Sequence, residues 1–89
     1  MLEQDITISN KLGLHARASA KLVQLASSYS ADTFLICRGR EINAKSIMGL
    51  MLLAAGKGTP LTVRVIGTDE AVAMPAVLDL FERKFDEGE

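Results

Sequence analysis

The residues best suited to chemistry lie together at Gly13-Leu14-His15-Ala16-Arg17-Ala18-Ser19-Ala20, where the only histidine of the chain stands at the expected start of an amphipathic helix. Backbone N–H groups at a helix start lack intrahelical acceptors and carry partial positive charge, so an anion is stabilised beside them. Gly13 permits close backbone approach, the small residues from Ala16 to Ala20 keep the surroundings open, and Arg17 offers a planar cationic fork to phosphate oxygens. Neutral imidazole is a nucleophile near neutral pH, and its phosphoramidate is labile enough to pass the group onward, so the arrangement suits phosphoryl transfer. The plainer alternative is a histidine that only caps the helix, with Arg17 a solvated charge; spacing does not separate the two. With one histidine and one cysteine, Cys37, no zinc site of the usual kind can be assembled, and neither metal nor cofactor is expected.

Alternating elements must position these residues. Leu2, Ile6 and Ile8 share one face and Glu3, Asp5, Thr7 and Ser9 the other, the period of a half-buried strand, which Asn10-Lys11-Leu12-Gly13 then breaks. From Ala16 to about Ser28, Ala18, Leu22, Leu25, Ala26 and Tyr29 recur at helical spacing. Thr33–Cys37 and Glu41–Asn43 read as antiparallel strands joined by a turn at Arg38-Gly39-Arg40. Ser46 is expected to cap a short helix from Ile47 to Ala54, ended by Gly56 and Gly58, with Leu50, Leu53 and Ala54 facing the core. Leu61, Val63 and Val65 mark a fourth strand, and Thr68 or Asp69 is placed to cap a last helix whose stripe is Met74, Val77, Leu78, Phe81 and Phe85, before the acidic end 86–89. Pro75 predicts a kink in that helix or a late start. The order strand, helix, strand, strand, helix, strand, helix implies a two-layer α+β sandwich, with one face of a four-stranded sheet covered by three helices.

At 89 residues the chain reads as one domain, residues 1–89, too small for a large substrate cleft with its own walls. A carrier or binding module fits better than a self-contained enzyme, and as a carrier the chain would be a stoichiometric intermediate more than a catalyst. No apolar run reaches the roughly 18 to 20 residues of a membrane span, and the start Met1-Leu2-Glu3-Gln4-Asp5 does not read as a secretory signal. Cys37 among apolar neighbours reads as a buried thiol in a reducing compartment, so the cytoplasm is expected. A net charge of −1, with no basic block, argues against nucleic acid and for protein partners.

The segment Gly13-Leu14-His15-Ala16-Arg17-Ala18 resembles the active-site motif of the HPr family, the histidine-containing phosphocarriers of the phosphoenolpyruvate-dependent sugar phosphotransferase system. Gly39-Arg40 followed by Lys45-Ser46-Ile47-Met48-Gly49-Leu50 looks like the regulatory-serine region of the same family. The resemblance spans essentially the whole chain and implies a βαββαβα open-faced sandwich. It also implies phosphorylation of His15 on Nδ1, Arg17 as partner of the phosphoryl oxygens, enzyme I as donor and enzyme IIA domains of sugar permeases as acceptors. A monomer is expected. Ala18 departs from the proline that many members carry in the first helical turn, which should loosen the helix start without abolishing transfer.

Ser46 serves as a helix cap, contributing about 1 kcal/mol, and the resemblance makes it a regulatory phosphorylation site for an HPr kinase/phosphorylase. Ile47, Met48, Met51 and Leu52 form a second apolar stripe that a short helix cannot bury together with the first. If exposed, that stripe, with Ala16 and Ala20, is an adaptable docking patch; if buried, it is core. The alternative functions are a carrier in a regulatory or nitrogen-related phosphorelay, and a docking module whose His15 is never phosphorylated.

Overall fold

A computed structural model describes residues 1–88; Glu89, the last residue of the acidic end, lies outside them. The elements are β1 (Leu2–Thr7), α1 (Ala16–Ser27), β2 (Asp32–Cys37), β3 (Arg40–Asn43), α2 (Ile47–Leu53), β4 (Pro60–Ile66) and α3 (Glu70–Glu82), followed by a short left-handed turn, Lys84–Asp86. The strands form one antiparallel sheet in the order β1-β4-β2-β3. This is the α+β open-faced sandwich expected from the alternation of patterns.

Registration follows from the two-residue period of the strands. Val63 stands opposite Leu35 and Val65 opposite Thr33, all of them buried on the helix-covered face with Leu61 and Cys37. The other face carries a polar ladder. Arg64 reaches Glu3 at 2.6 Å and Glu41 at 2.7 Å, and Thr62 donates to Asp5 at 2.7 Å. β2 and β3 join through Arg38 and Gly39 with φ of 53° and 76°, a two-residue turn with both positions left-handed, so Arg40 belongs to the strand and not to the turn. β1 stops at Thr7. Ile8, just beyond it, is buried, whereas Leu2 of the same pattern stays exposed at the sheet edge.

On the helices Ala18, Leu22 and Ala26 of α1, Leu50 and Leu53 of α2, and Ala73, Met74, Val77, Leu80 and Phe81 of α3 enter the core. The fully buried Leu22, Leu50 and Val77 among them each contribute on the order of 1.5–3 kcal/mol. Ala54 is exposed instead of facing the core: it takes a left-handed conformation, φ 50°, and ends α2, while the next residue, Ala55, is the buried one. Neither Gly56 nor Gly58 serves as the cap.

α3 differs from expectation at both ends. It begins at Glu70 with no late start and continues through Pro75. Asp69 sits at the cap position, but its carboxylate turns to the loop after α1, accepting from Ser30 N–H at 2.8 Å and Ala31 N–H at 2.7 Å. The Ser30 bond chiefly, against opposing desolvation, holds the Asp69 carboxyl below its ordinary value. Phe85 is buried but lies past the helix, in a turn where Lys84, Phe85 and Asp86 all have positive φ. Its ring meets Phe81 edge to face, 5.0 Å between centroids, and Leu80 takes the stripe position assigned to the half-buried Leu78.

Pro75 leaves the Ala71 carbonyl without its i+4 donor on an exposed face of α3. Pro75→Ala restores that bond and is expected to raise the unfolding free energy by about 1–2 kcal/mol. A chemical-denaturation midpoint that does not rise would refute this.

Candidate functional site

His15 occupies the N-cap of α1 in extended conformation, φ −72° and ψ 179°. Three anchors fix the backbone leading into it. Leu14 N–H donates to Ala55 O at 2.9 Å, Ser19 Oγ donates to Leu14 O at 3.0 Å, and the buried Asn10 amide donates to Gly13 O at 2.8 Å. Gly13 makes the path feasible: its φ is +62°, and a Cβ there would lie 2.2 Å from Ala55 O. The loop before α1 is thereby bound to the end of α2, which is why the histidine holds one place.

The two ring nitrogens of His15 face different partners. Nδ1 accepts from Arg17 N–H at 3.3 Å, the cap bond of the helix. Nε2 meets the Glu87 carboxylate, which in turn accepts from Asn10 Nδ2 at 3.0 Å. Desolvation opposes ionisation of Glu87, but the bonds from Asn10 and His15 and the nearby Arg17 charge outweigh it and hold the carboxyl below its ordinary value. An ionised carboxylate has only acceptors to offer, so the nitrogen facing it carries the hydrogen. In the neutral ring this leaves the lone pair on Nδ1, at the helix N-terminus.

Around the ring, Lys11, Leu12, Ala16, Arg17, Lys21, Asp86 and Glu87 line an open depression. Arg17 and Ala16 are exposed and Ala20 is half-buried. The Arg17 guanidinium makes no hydrogen bond or ion pair with the described residues, so its fork remains available. Lys21 is engaged, donating to Phe85 O at 2.7 Å, and Lys45 donates to Tyr29 O at 3.2 Å. No group of side chains able to hold a metal ion occurs among the described residues.

Ser46 caps α2, its Oγ accepting from Gly49 N–H at 3.1 Å. Of the second apolar stripe, Met48 and Leu52 are 67% and 66% exposed, and Ile47 and Met51 are exposed as well. Leu12, 65% exposed, extends this surface, and a shallow groove lined by Leu12, His15, Met51 and Ala54 connects it to the histidine. The expected residues of the first loop and of α2 therefore share one side of the molecule.

Sequence reasoning missed Asn10, Leu12, Ser19 and Glu87. Only Asn10 had a local signal, an asparagine three residues before a glycine in a turn. Glu87 had none, since 72 residues separate it from His15.

The family described as the PTS HPr component phosphorylation site matches residues 2–83. Phosphocarrier protein HPr of Xylella fastidiosa (strain Temecula1) is 59% identical, and the match covers 98% of each chain. Phosphocarrier protein HPr of Cupriavidus necator is 54% identical over the full length of both. Among solved structures, HPr-C-His from Thermoanaerobacter tengcongensis superposes with a TM-score of 0.94 at 44% identity, covering 98% of each chain. The chain thus belongs to the HPr family of the phosphotransferase system.

Proposed function

We propose that this protein is a phosphocarrier that accepts a phosphoryl group on Nδ1 of His15 and hands it to a second protein. The observation that carries the reading is the arrangement of the two ring nitrogens: Nε2 faces the Glu87 carboxylate, while Nδ1 lies at the start of α1 and accepts a 3.3 Å bond from Arg17 N–H. A phosphoryl group there displaces Nδ1 as acceptor for Arg17 N–H, and its own oxygens take over that bond. Helix N–H groups and the Arg17 guanidinium then share its charge. Residues 1–89 act as a single carrier domain, one copy at a time, in the cytoplasm. Enzyme I supplies the group from phosphoenolpyruvate and enzyme IIA domains of sugar permeases receive it, both docking on the stripe of α2 with Leu12, Ala16 and Ala20.

Ser46 lies at the edge of that stripe. A phosphate added there by an HPr kinase/phosphorylase brings about −1.5 to −2 charges, which suit the start of α2 but oppose an apolar or acidic partner. Ser46→Asp is expected to weaken binding to enzyme I about tenfold, about 1.4 kcal/mol, while leaving the α2 cap in place. Unchanged affinity in a titration would remove the regulatory role.

Incubation with phosphoenolpyruvate, Mg²⁺ and active enzyme I tests the whole reading. The expected product carries one acid-labile, base-stable phosphate by intact mass. An unmodified chain beside a second carrier that is labelled in the same tube would overturn it.

A further inference from the structure

The C-terminal turn forms part of the site without belonging to either motif. After α3 the backbone passes through three left-handed residues, Lys84, Phe85 and Asp86, and doubles back toward the start of α1. The turn is held from inside by the fully buried Phe85 ring and from outside by Lys21, which donates to Phe85 O at 2.7 Å. Glu87 follows at once, 14% exposed, with one carboxylate oxygen on the buried Asn10 amide and the other on His15 Nε2. Asn10 thus ties the backbone before the histidine and the carboxylate behind its ring into one unit through a single amide group.

We infer that Glu87, held by Asn10, is a positioning residue for phosphoryl transfer, orienting the His15 ring through Nε2 so that Nδ1 is the nucleophile. This rests on the phosphocarrier reading above. As the group arrives, the Nδ1 lone pair forms the bond to phosphorus while the bond to the donor's leaving atom breaks and its electron pair departs with the donor. The ring becomes cationic and keeps its proton on Nε2, against the Glu87 carboxylate. On donation the N–P bond breaks, the pair returns to Nδ1, and a neutral imidazole is released with the same proton in place. No proton is gained or lost in either direction, so the carboxylate need only orient the ring and balance its transient charge.

The same charge also borders the depression an anionic group must enter, and two variants separate orientation from repulsion. Glu87→Gln keeps an acceptor for Nε2–H without the charge; Glu87→Ala removes both. The expected result has two parts. Ring ¹⁵N shifts place the native histidine mainly in the Nε2–H tautomer, retained in Glu87→Gln and mixed in Glu87→Ala. With enzyme I and phosphoenolpyruvate, kcat for Glu87→Ala falls about tenfold with KM little changed, and Glu87→Gln recovers most of it. Native tautomer and rate in Glu87→Ala would overturn the inference, as would faster phosphorylation of both variants, which would make the carboxylate a barrier. A native chain that takes up no phosphate defeats the phosphocarrier reading instead, and the ring shifts still decide whether Glu87 orients the histidine.

Discussion

His15→Ala is expected to leave a folded protein that acquires no acid-labile phosphate at any time of incubation with phosphoenolpyruvate, Mg²⁺ and active enzyme I. The chain has no second imidazole to take the group, so the loss is complete instead of partial. The fold survives because the substitution removes one cap acceptor, the 3.3 Å bond from Arg17 N–H, and one partly solvated hydrogen bond from Nε2–H to the Glu87 carboxylate. Loss of a helix cap costs about 0.5–2 kcal/mol, well under the stability of a typical domain. Intact mass after labelling, with a thermal melt of the same sample, separates loss of chemistry from loss of fold. Residual acid-labile phosphate on the variant would place the accepting group elsewhere.

Gly13→Ala is expected to damage both the fold and the site, lowering the unfolding free energy by about 3 kcal/mol and slowing phosphorylation at least tenfold. The new Cβ would lie 2.2 Å from Ala55 O and 2.6 Å from Gly56 Cα, backbone atoms that cannot rotate away, at a residue whose φ is already +62°. Relief requires the loop to move off α2, which breaks the 2.9 Å bond from Leu14 N–H to Ala55 O and shifts the residue next to His15. Gly39→Ala is the matched control, because its φ is +76° but nothing lies within 4 Å of the added carbon. It meets only the left-handed penalty, roughly 1–2 kcal/mol, and is expected to be phosphorylated at the native rate. Equal denaturation midpoints for the two variants would show that conformational strain, and not contact with α2, determines the Gly13 effect.

The stripe of α2 shows how far a local pattern carries. Seven helical residues cannot bury two apolar faces, so exposure of Met48 and Leu52 follows from helix length and composition alone. Which residue ends that helix does not follow. Ala54 takes the left-handed position ahead of Gly56 because the next residue must be buried and present its carbonyl to Leu14, a demand made by a loop some 40 residues away in sequence. Asp69 is a similar case. As a residue type it suits an N-cap, yet two unpaired N–H groups of the loop after α1 lie within reach of its carboxylate and take both oxygens.

The sequence by itself determined the order of elements, the covered face of the sheet, the histidine at the start of α1 and the serine cap of α2, because each depends on periodicity or on a residue's fit to its immediate backbone. Only the tertiary structure decided that Asn10 is buried beneath the site, that Phe85 leaves the helix stripe to fill the core from a left-handed turn, and that Glu87 returns to the His15 ring. Those outcomes depend on where distant segments meet. A contact between residues 15 and 87 has no period and no spacing; it exists because α3 packs beside α1 and the turn that follows reverses toward its start.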